Sequence, residues 1–323
     1  MISGENSAFR LIRCTDEAEW LAERRKGVGG SDVAAIMGLS PWRTPAEVWL
    51  AKTGRAEPPD LSDRPNIVFG NIMEPVIADW HRSKYPDLTI RRVNAICQSI
   101  ERPWAQASLD YEIHAPELGW GVLEIKTARD KRDWKDGVPA YYLTQVTHYL
   151  AVTGRAFAAV AVFFRDEAEF ARYAIERDEE DIAAVNSAVD AFWHDYVEAD
   201  VMPALVGTDG EARGLAQAYA APASDSITDT SAETIGLVSA YQDAADREKQ
   251  AKADKQKAAT LLMEKVGDHR QLFTETSKVT WSRGTAEKFD SRRFKSDYPG
   301  LWQQYSTTYT RNGGLRVTDL KKG

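Results

Sequence analysis

The feature that most constrains the fold is the run Phe157–Phe164, eight consecutive apolar residues between turn signals. Such a run is typical of a central strand buried on both faces. Upstream, Phe69, Ile72, Met73, Val76, Ile77 and Trp80 recur at helical spacing. Between these two lie short β-rich stretches over 88–93, 104–114 and 120–127. Further helices are expected over 16–26, at a short piece after Ser31, over 44–52, 139–152 and 178–199, and a strand over 170–175. Helices interleaved with strands predict an α/β chain. Within the 69–80 helix, Glu74 sits between apolar neighbours and Pro75 sits in the interior. The proline removes a backbone hydrogen bond at a cost of about 3 kcal/mol. Local inconsistencies of this kind mark functional sites.

The chain has 323 residues, 43% hydrophobic and 28% charged, with a net charge of −8. That excludes a mostly disordered or membrane-embedded chain. From Asp246 onward 17 Lys and Arg face 10 Asp and Glu, a balance of +7, which leaves −15 for residues 1–245. The two cysteines, Cys14 and Cys97, are too few for a disulfide framework or a four-thiolate metal cage. The first nine residues lack a basic stretch followed by an apolar run, so the expected location is cytoplasmic, with no membrane association. Residues 207–232 are rich in small and polar types and read as a linker. The extension over 233–323 is expected to hold one long helix or a helical hairpin, short strands, and a hairpin at Asn312-Gly313-Gly314.

The chemistry is carried by charges on strands that should be apolar. Ser108-Leu109-Asp110 closes one strand and Val122-Leu123-Glu124-Ile125-Lys126-Thr127 forms the next. Residues i and i+2 face the same side, so Glu124 and Lys126 share a face with Leu123 and Ile125 on the other. The intervening turn lets Asp110 meet them at one sheet edge. Two carboxylates, a backbone carbonyl and waters suit Mg²⁺, which takes oxygen ligands. A cation there lowers the pKa of a bound water and stabilises a phosphoryl transition state, and a lysine beside it orients or deprotonates that water. Two ordinary strands with surface charges would give the same triplet. Glu74, the pair Gln145 and Tyr149 one helical turn apart, and the segment Arg24-Arg25-Lys26-Gly27-Val28-Gly29-Gly30-Ser31-Asp32, a plausible phosphate pocket, favour the chemical reading. His81 and His148 are expected to be packing or surface residues, and Trp42 and Trp49, which could stack on a DNA end, are expected to pack in the core.

In order, 29–38 (GGSDVAAIMG), 70–75 (GNIMEP), Ser108-Leu109-Asp110, Glu124-Ile125-Lys126-Thr127 and the Gln145/Tyr149 helix resemble the YqaJ viral recombinase family, lambda-exonuclease-like members of the PD-(D/E)xK nucleases. The resemblance covers about residues 15–205, and it departs from the motif name in having Leu109 before Asp110. It implies a restriction-endonuclease-like mixed β-sheet core flanked by helices, residues 1–206 forming the exonuclease domain and 233–323 a small C-terminal helical and β extension. The implied activity is Mg²⁺-dependent degradation of linear duplex DNA, 5′ to 3′, with Mn²⁺ as a substitute metal. Mononucleotides are released and a 3′ overhang is left for a single-strand annealing protein. By motif, Asp110, Glu124 and the Ile125 carbonyl are implied metal ligands. Lys126 activates water, Glu74 completes the acid cluster, and Gln145 supports Lys126 or the phosphate. Arg25, Ser31 and Ser108 hold a 5′-phosphate, with Tyr149 alongside. Arg24, seven residues from Ser31, is the alternative to Arg25. A homotrimer in the bacterial host cytoplasm is also implied. Another nuclease of this fold, RecB-type or an endonuclease, and a non-catalytic DNA-binding recombination factor are the alternatives.

Overall fold

The computed structural model describes residues 8–220, 226–307 and 315–318. The chain forms two compact units, Met1–Ala220 and Ala221–Gly323. In the first, the order is β1 (Phe9–Ile12), α1 (Glu17–Arg25), α2 (Gly30–Ile36), α3 (Pro45–Lys52), α4 (Pro65–Lys84), β2 (Thr89–Arg92), β3 (Ile96–Ser99), β4 (Gln106–Ala107), β5 (Tyr111–Ala115), β6 (Gly119–Ala128), α5 (Ala140–Thr153), β7 (Phe157–Phe164), β8 (Glu169–Glu176), α6 (Glu179–Ala191) and α7 (Asp209–Ala218). A π-helical turn, Phe192–Glu198, extends α6.

The main sheet has five strands in the order β2-β5-β6-β7-β8. All neighbours are antiparallel except β6 and β7, which run parallel. A parallel pair needs a crossover, and α5 supplies it. The apolar run lies where its composition demands, inside the sheet with both faces covered. Val160, Val162 and Phe164 pack with Val146, Tyr149 and Leu150 of α5. Phe157, Ala159 and Ala161 pack with Ile77 and Ala78 of α4. The arrangement is a mixed sheet flanked by helices, as the resemblance implied.

The 104–114 stretch, read above as one strand, is two. Gln106 and Ala107 join a second sheet, ordered β1-β3-β4, and Tyr111 begins the strand that pairs with β6. Ser108-Leu109-Asp110 is the hinge between the sheets, so its side chains are freed from the ladder. A third cluster, Val33, Val48, Trp49, Leu50, Val185 and Phe192, joins α2, α3, α6 and the π turn. Helix α2 begins with its N-cap at Gly29, not at Ser31 as the serine suggested. Asp32 lies three residues further on and its carboxylate accepts the Gly29 N–H at 3.1 Å. A Cβ on Gly30 would lie 2.4 Å from the Tyr149 ring and 2.9 Å from Gln145, so only glycine lets α2 rest on α5.

The 207–232 segment contains structure that its composition conceals. Helix α7 rests on α3, where a Cβ on Gly214 would come within 2.6 Å of Leu50. The buried Glu211 carboxylate accepts the Val206, Gly207 and Thr208 amides at 2.7–3.1 Å and the Thr44 hydroxyl at 2.8 Å. In α7 the small residues permit close packing on α3.

The second unit holds α8 (Ala232–Val266), β9 (Gln271–Phe273), β10 (Lys278–Thr280), α9 (Ser291–Asp297) and α10 (Pro299–Tyr305). Its long helix is continuous, capped by Ser231, whose hydroxyl accepts the Thr234 N–H. The hairpin expected at Asn312-Gly313-Gly314 lies outside the described residues. No helix among the described residues is long and apolar enough to cross a membrane.

Truncation tests the role of α7. A chain ending at Ala220 should fold with a melting temperature near that of the same residues in the full chain. One ending at Val206 uncovers Leu50 and removes the Glu211 clasp. It should lose about 3 kcal/mol, a fall of roughly 6–12 °C by circular dichroism. Equal melting of both truncations would remove α7 from the first unit.

Candidate active site

The β5–β6 ladder ends where Tyr111 pairs with Leu123. Beyond that point Ile125 has no strand partner on the β5 side, and the Asp110 carboxylate accepts its N–H at 2.9 Å. In an extended strand the N–H and C=O of one residue point the same way. The Ile125 carbonyl is therefore aimed at the same open edge as Asp110. Glu124, one residue back on the opposite face, turns toward α5. Its Oε1 accepts from Lys126 Nζ and from Gln145 Nε2 at 2.8 Å, and Gln145 also donates to the Tyr149 hydroxyl at 2.8 Å. Lys126 Nζ lies 4.9 Å from the Tyr142 ring centre. Period-two alternation thus delivers Glu124 and Lys126 to one face while Leu123 and Ile125 join the α4-side core.

This cluster carries an electrostatic cost. Burial pushes the Glu124 carboxyl up to about 8, the Asp110 charge adding to the shift and Lys126 opposing it. Burial also raises Asp110, against the attraction of Lys126 and the Ile125 N–H. Burial alone would lower Lys126, but Glu124 and Asp110 outweigh it and hold the amine protonated above its ordinary value. The second Glu124 oxygen, Oε2, is buried without a hydrogen-bond partner. Two carboxylates raised by burial, Glu124 also by the Asp110 charge and with an oxygen left over, form a donor set that a divalent cation would complete. Among the described residues no three His, Cys, Asp or Glu side chains converge to hold a metal on their own, so a carbonyl and water would fill the remaining positions.

Glu74 lies on α4, one residue before Pro75, and lines the same cavity. Burial and then the Asp110 charge raise its carboxyl, and Arg92, at 3.0 Å, opposes them. Because Pro75 has no N–H, the backbone at Asn71, which also faces the cavity, loses a helical partner. The cavity is about 620 Å³ and opens between Asp110, Glu124 and Lys126 on one side and Arg129, Arg132, Arg165, Trp42, Tyr141 and Tyr142 on others. A second cavity, about 340 Å³, meets the first at Glu74 and Asp110 and is lined by Ser108, Trp20 and Arg92.

Three of the expected binding residues have other contacts in the structure. Arg25 does not reach Ser31; it pairs with Glu57. Arg24 is the residue that donates to the Ser31 hydroxyl, at 3.0 Å, with its guanidinium 4.5 Å over the ring of Trp20. Neighbouring residues on a helix point about 100° apart, so one of the two had to face away. Two amides of the glycine segment are also engaged. Val28 donates to the Trp104 carbonyl and Gly29 to Asp32. Tyr149 is buried beneath Gly30, and its hydroxyl accepts from Gln145.

Asp32 is a residue that sequence reasoning missed. It is buried and bound by Lys52 at 2.7 Å and Arg43 at 2.8 Å. Those two cations, with Arg24, outweigh its burial and hold it well below the usual carboxylate range. Lys52 also donates to the Arg24 carbonyl at 2.8 Å, fixing the end of α1. Its signal was an acid three residues after a glycine cap. Arg92 had no local signal. His81, His148 and Trp49 are buried, as packing residues should be, but Trp42 is 65% exposed.

Residues 19–156 match the model of the YqaJ-like viral recombinase domain. The YqaJ protein of Bacillus subtilis (strain 168) is 29% identical over 306 residues, 92% of this chain and 93% of that protein. Among solved structures, the alkaline exonuclease LHK-Exo from Laribacter hongkongensis is similar at 23% identity and a TM-score of 0.48, over 57% of this chain and 94% of that one. A phage-related exonuclease from Haemophilus somnus 129PT is similar at 14% identity and a TM-score of 0.39, over 54% and 95%. Residues 19–156 are thus similar to the YqaJ-like viral recombinase domain, and the open sheet edge in that stretch bears two carboxylates and a lysine.

Proposed function

We propose that this chain is a Mg²⁺-dependent exonuclease that degrades linear duplex DNA from a 5′ end, releases mononucleotides and leaves a 3′ overhang for a single-strand annealing protein. The observation that carries the reading is the meeting of Asp110, Glu124 and Lys126 at one open strand end within a recombinase domain. Asp110, Glu124 and the Ile125 carbonyl would hold the metal, and Mn²⁺ is expected to substitute. Bound there, the cation would lower the pKa of a coordinated water and offset charge on the phosphate.

The chain's own residues do the rest. Lys126, held as an ammonium, orients the attacking water and neutralises developing charge on the phosphoryl oxygens. Gln145 keeps Glu124 turned toward Lys126, and Tyr149 keeps Gln145 in place. Glu74, balanced by Arg92, completes the acid wall. Arg24 and Ser31, with Ser108 on the second cavity, hold the terminal 5′-phosphate by charge-assisted hydrogen bonds. A homotrimer around DNA belongs to the same reading and is measured by light scattering.

Two outcomes follow for cleavage. Asp110→Ala and Glu124→Ala should lose about a thousandfold or more of the Mg²⁺-dependent release of acid-soluble nucleotides, with unchanged circular dichroism. Lys126→Ala should lose most of the rate yet still bind duplex in EDTA. Normal cleavage by either carboxylate variant contradicts the assignment.

End preference separates this reading from an endonuclease. Duplex with a 5′-phosphate should be digested about tenfold or more faster than duplex with a 5′-hydroxyl, the worth of one or two charged hydrogen bonds. Arg24→Ala should shrink that ratio toward one while Arg25→Ala leaves it, and covalently closed circles should survive. Equal rates at both ends, or rapid loss of circles, would exclude the end pocket.

A further inference from the structure

Trp42 stands apart from the other tryptophans. Among the described residues it is the one that is more exposed than buried, at 65%. It lies in the short link between α2 and α3, yet that link is fixed. The Ser40 hydroxyl accepts the Trp42 and Arg43 N–H groups at 3.2 and 3.3 Å. The next side chain, Arg43, is locked to the buried Asp32 at 2.8 Å. An indole with its surface in water gives up the burial that normally stabilises it, so a rigidly presented one needs a reason.

Its surroundings give the reason. The Trp42 ring meets Tyr141 edge-on at 4.9 Å and Tyr142 at 6.4 Å. Tyr142 in turn lies 4.9 Å from Lys126 Nζ. The aromatic group is thus continuous with the reacting end of the cavity, and all three rings line it together with Lys126 and Arg165. A flat apolar surface beside carboxylates and cations does not suit an apolar peptide side chain, which would need an apolar rim. It suits a ligand with an aromatic ring at one end and a phosphate at the other.

We propose that Trp42, backed by Tyr141 and Tyr142, is a stacking platform for the base of the terminal nucleotide on the strand being cut. The inference rests on the nuclease reading and adds to it how the nucleotide is positioned. Every base has a π-face, so the platform tolerates any sequence. It places the base on Trp42 while the phosphate lies toward Asp110, Glu124 and Lys126. Trp42 is a positioning residue, and its removal weakens seating of the end rather than the chemistry.

The test uses the full-length protein and 5′-phosphorylated duplexes that end in either a normal or an abasic nucleotide on the cut strand. Affinity is read by fluorescence anisotropy in EDTA, and rate in Mg²⁺. Wild-type protein should favour the base-bearing end about tenfold, the worth of one aromatic stack. Trp42→Ala should bring that ratio close to one, and Trp42→Phe should keep most of it, with melting temperatures unchanged because the side chain is exposed. The loss should appear in KM more than in kcat. If the wild type binds both ends equally, or Trp42→Ala keeps the wild-type ratio, the platform is overturned. If the protein binds with the expected ratio but cuts neither duplex, the nuclease reading fails and the platform stands.

Discussion

A carboxyl group sealed inside a protein needs a polar partner, and Glu124 finds it two residues away in Lys126. That pair, with Asp110 against the Ile125 N–H, sets the terms for the rest of the first unit. Both side chains must leave β6 on the α5 side, which fixes the register of β6. Asp110 must arrive at the end of the β5 ladder, which places the break between the two sheets at Ser108-Leu109-Asp110. The surrounding core is rigid enough to keep like charges together because β7 buries both faces between α4 and α5.

The supporting contacts extend outward from the same point. Gln145 reaches Glu124 only because α5 crosses over from β6 to β7 on that face. Helix α5 is held from behind by α2, whose close approach requires Gly30. The buried Asp32, Lys52 and Arg43 network ties α2 to α3 and to the end of α1. Through it Arg24 is presented to Ser31, and Trp42 to the cavity. The glycine-rich motif therefore acts as a packing joint between the α/β core and the residues proposed to hold the DNA end.

Much of this was legible in sequence, for physical reasons. A continuous apolar run and a two-residue alternation are strong signals, so β7 and the shared face of Glu124 and Lys126 could be read directly. Pro75 beside Glu74 broke a helical rule at a residue that does line the cavity. What failed was whatever lacks periodicity. No residue of α1 is buried, so no apolar stripe could tell Arg24 from Arg25. Strand residues in 104–114 look alike whichever sheet they join, so the division at Ser108 was hidden. The small residues of α7 resemble a linker until their close packing on α3 is seen. Trp42 was assigned to the core because most tryptophans are buried, a rule that loop position alone cannot overturn.

The most direct measurement is the melting temperature of the intact protein from pH 5 to 9, in EDTA and in Mg²⁺. The Glu124 carboxyl is raised to about 8, well above its unfolded value. The folded state therefore holds a proton that the unfolded state has lost between about pH 4.5 and 8. Linkage then makes metal-free stability fall as pH rises through that window, and one pKa unit corresponds to about 1.4 kcal/mol at most. The account predicts this fall, its reversal by Mg²⁺ near pH 8, and loss of most of both effects in Glu124→Gln, which melts higher than wild type in EDTA. A flat wild-type profile, or equal stabilisation of Glu124→Gln by Mg²⁺, would contradict a cation site at Asp110 and Glu124.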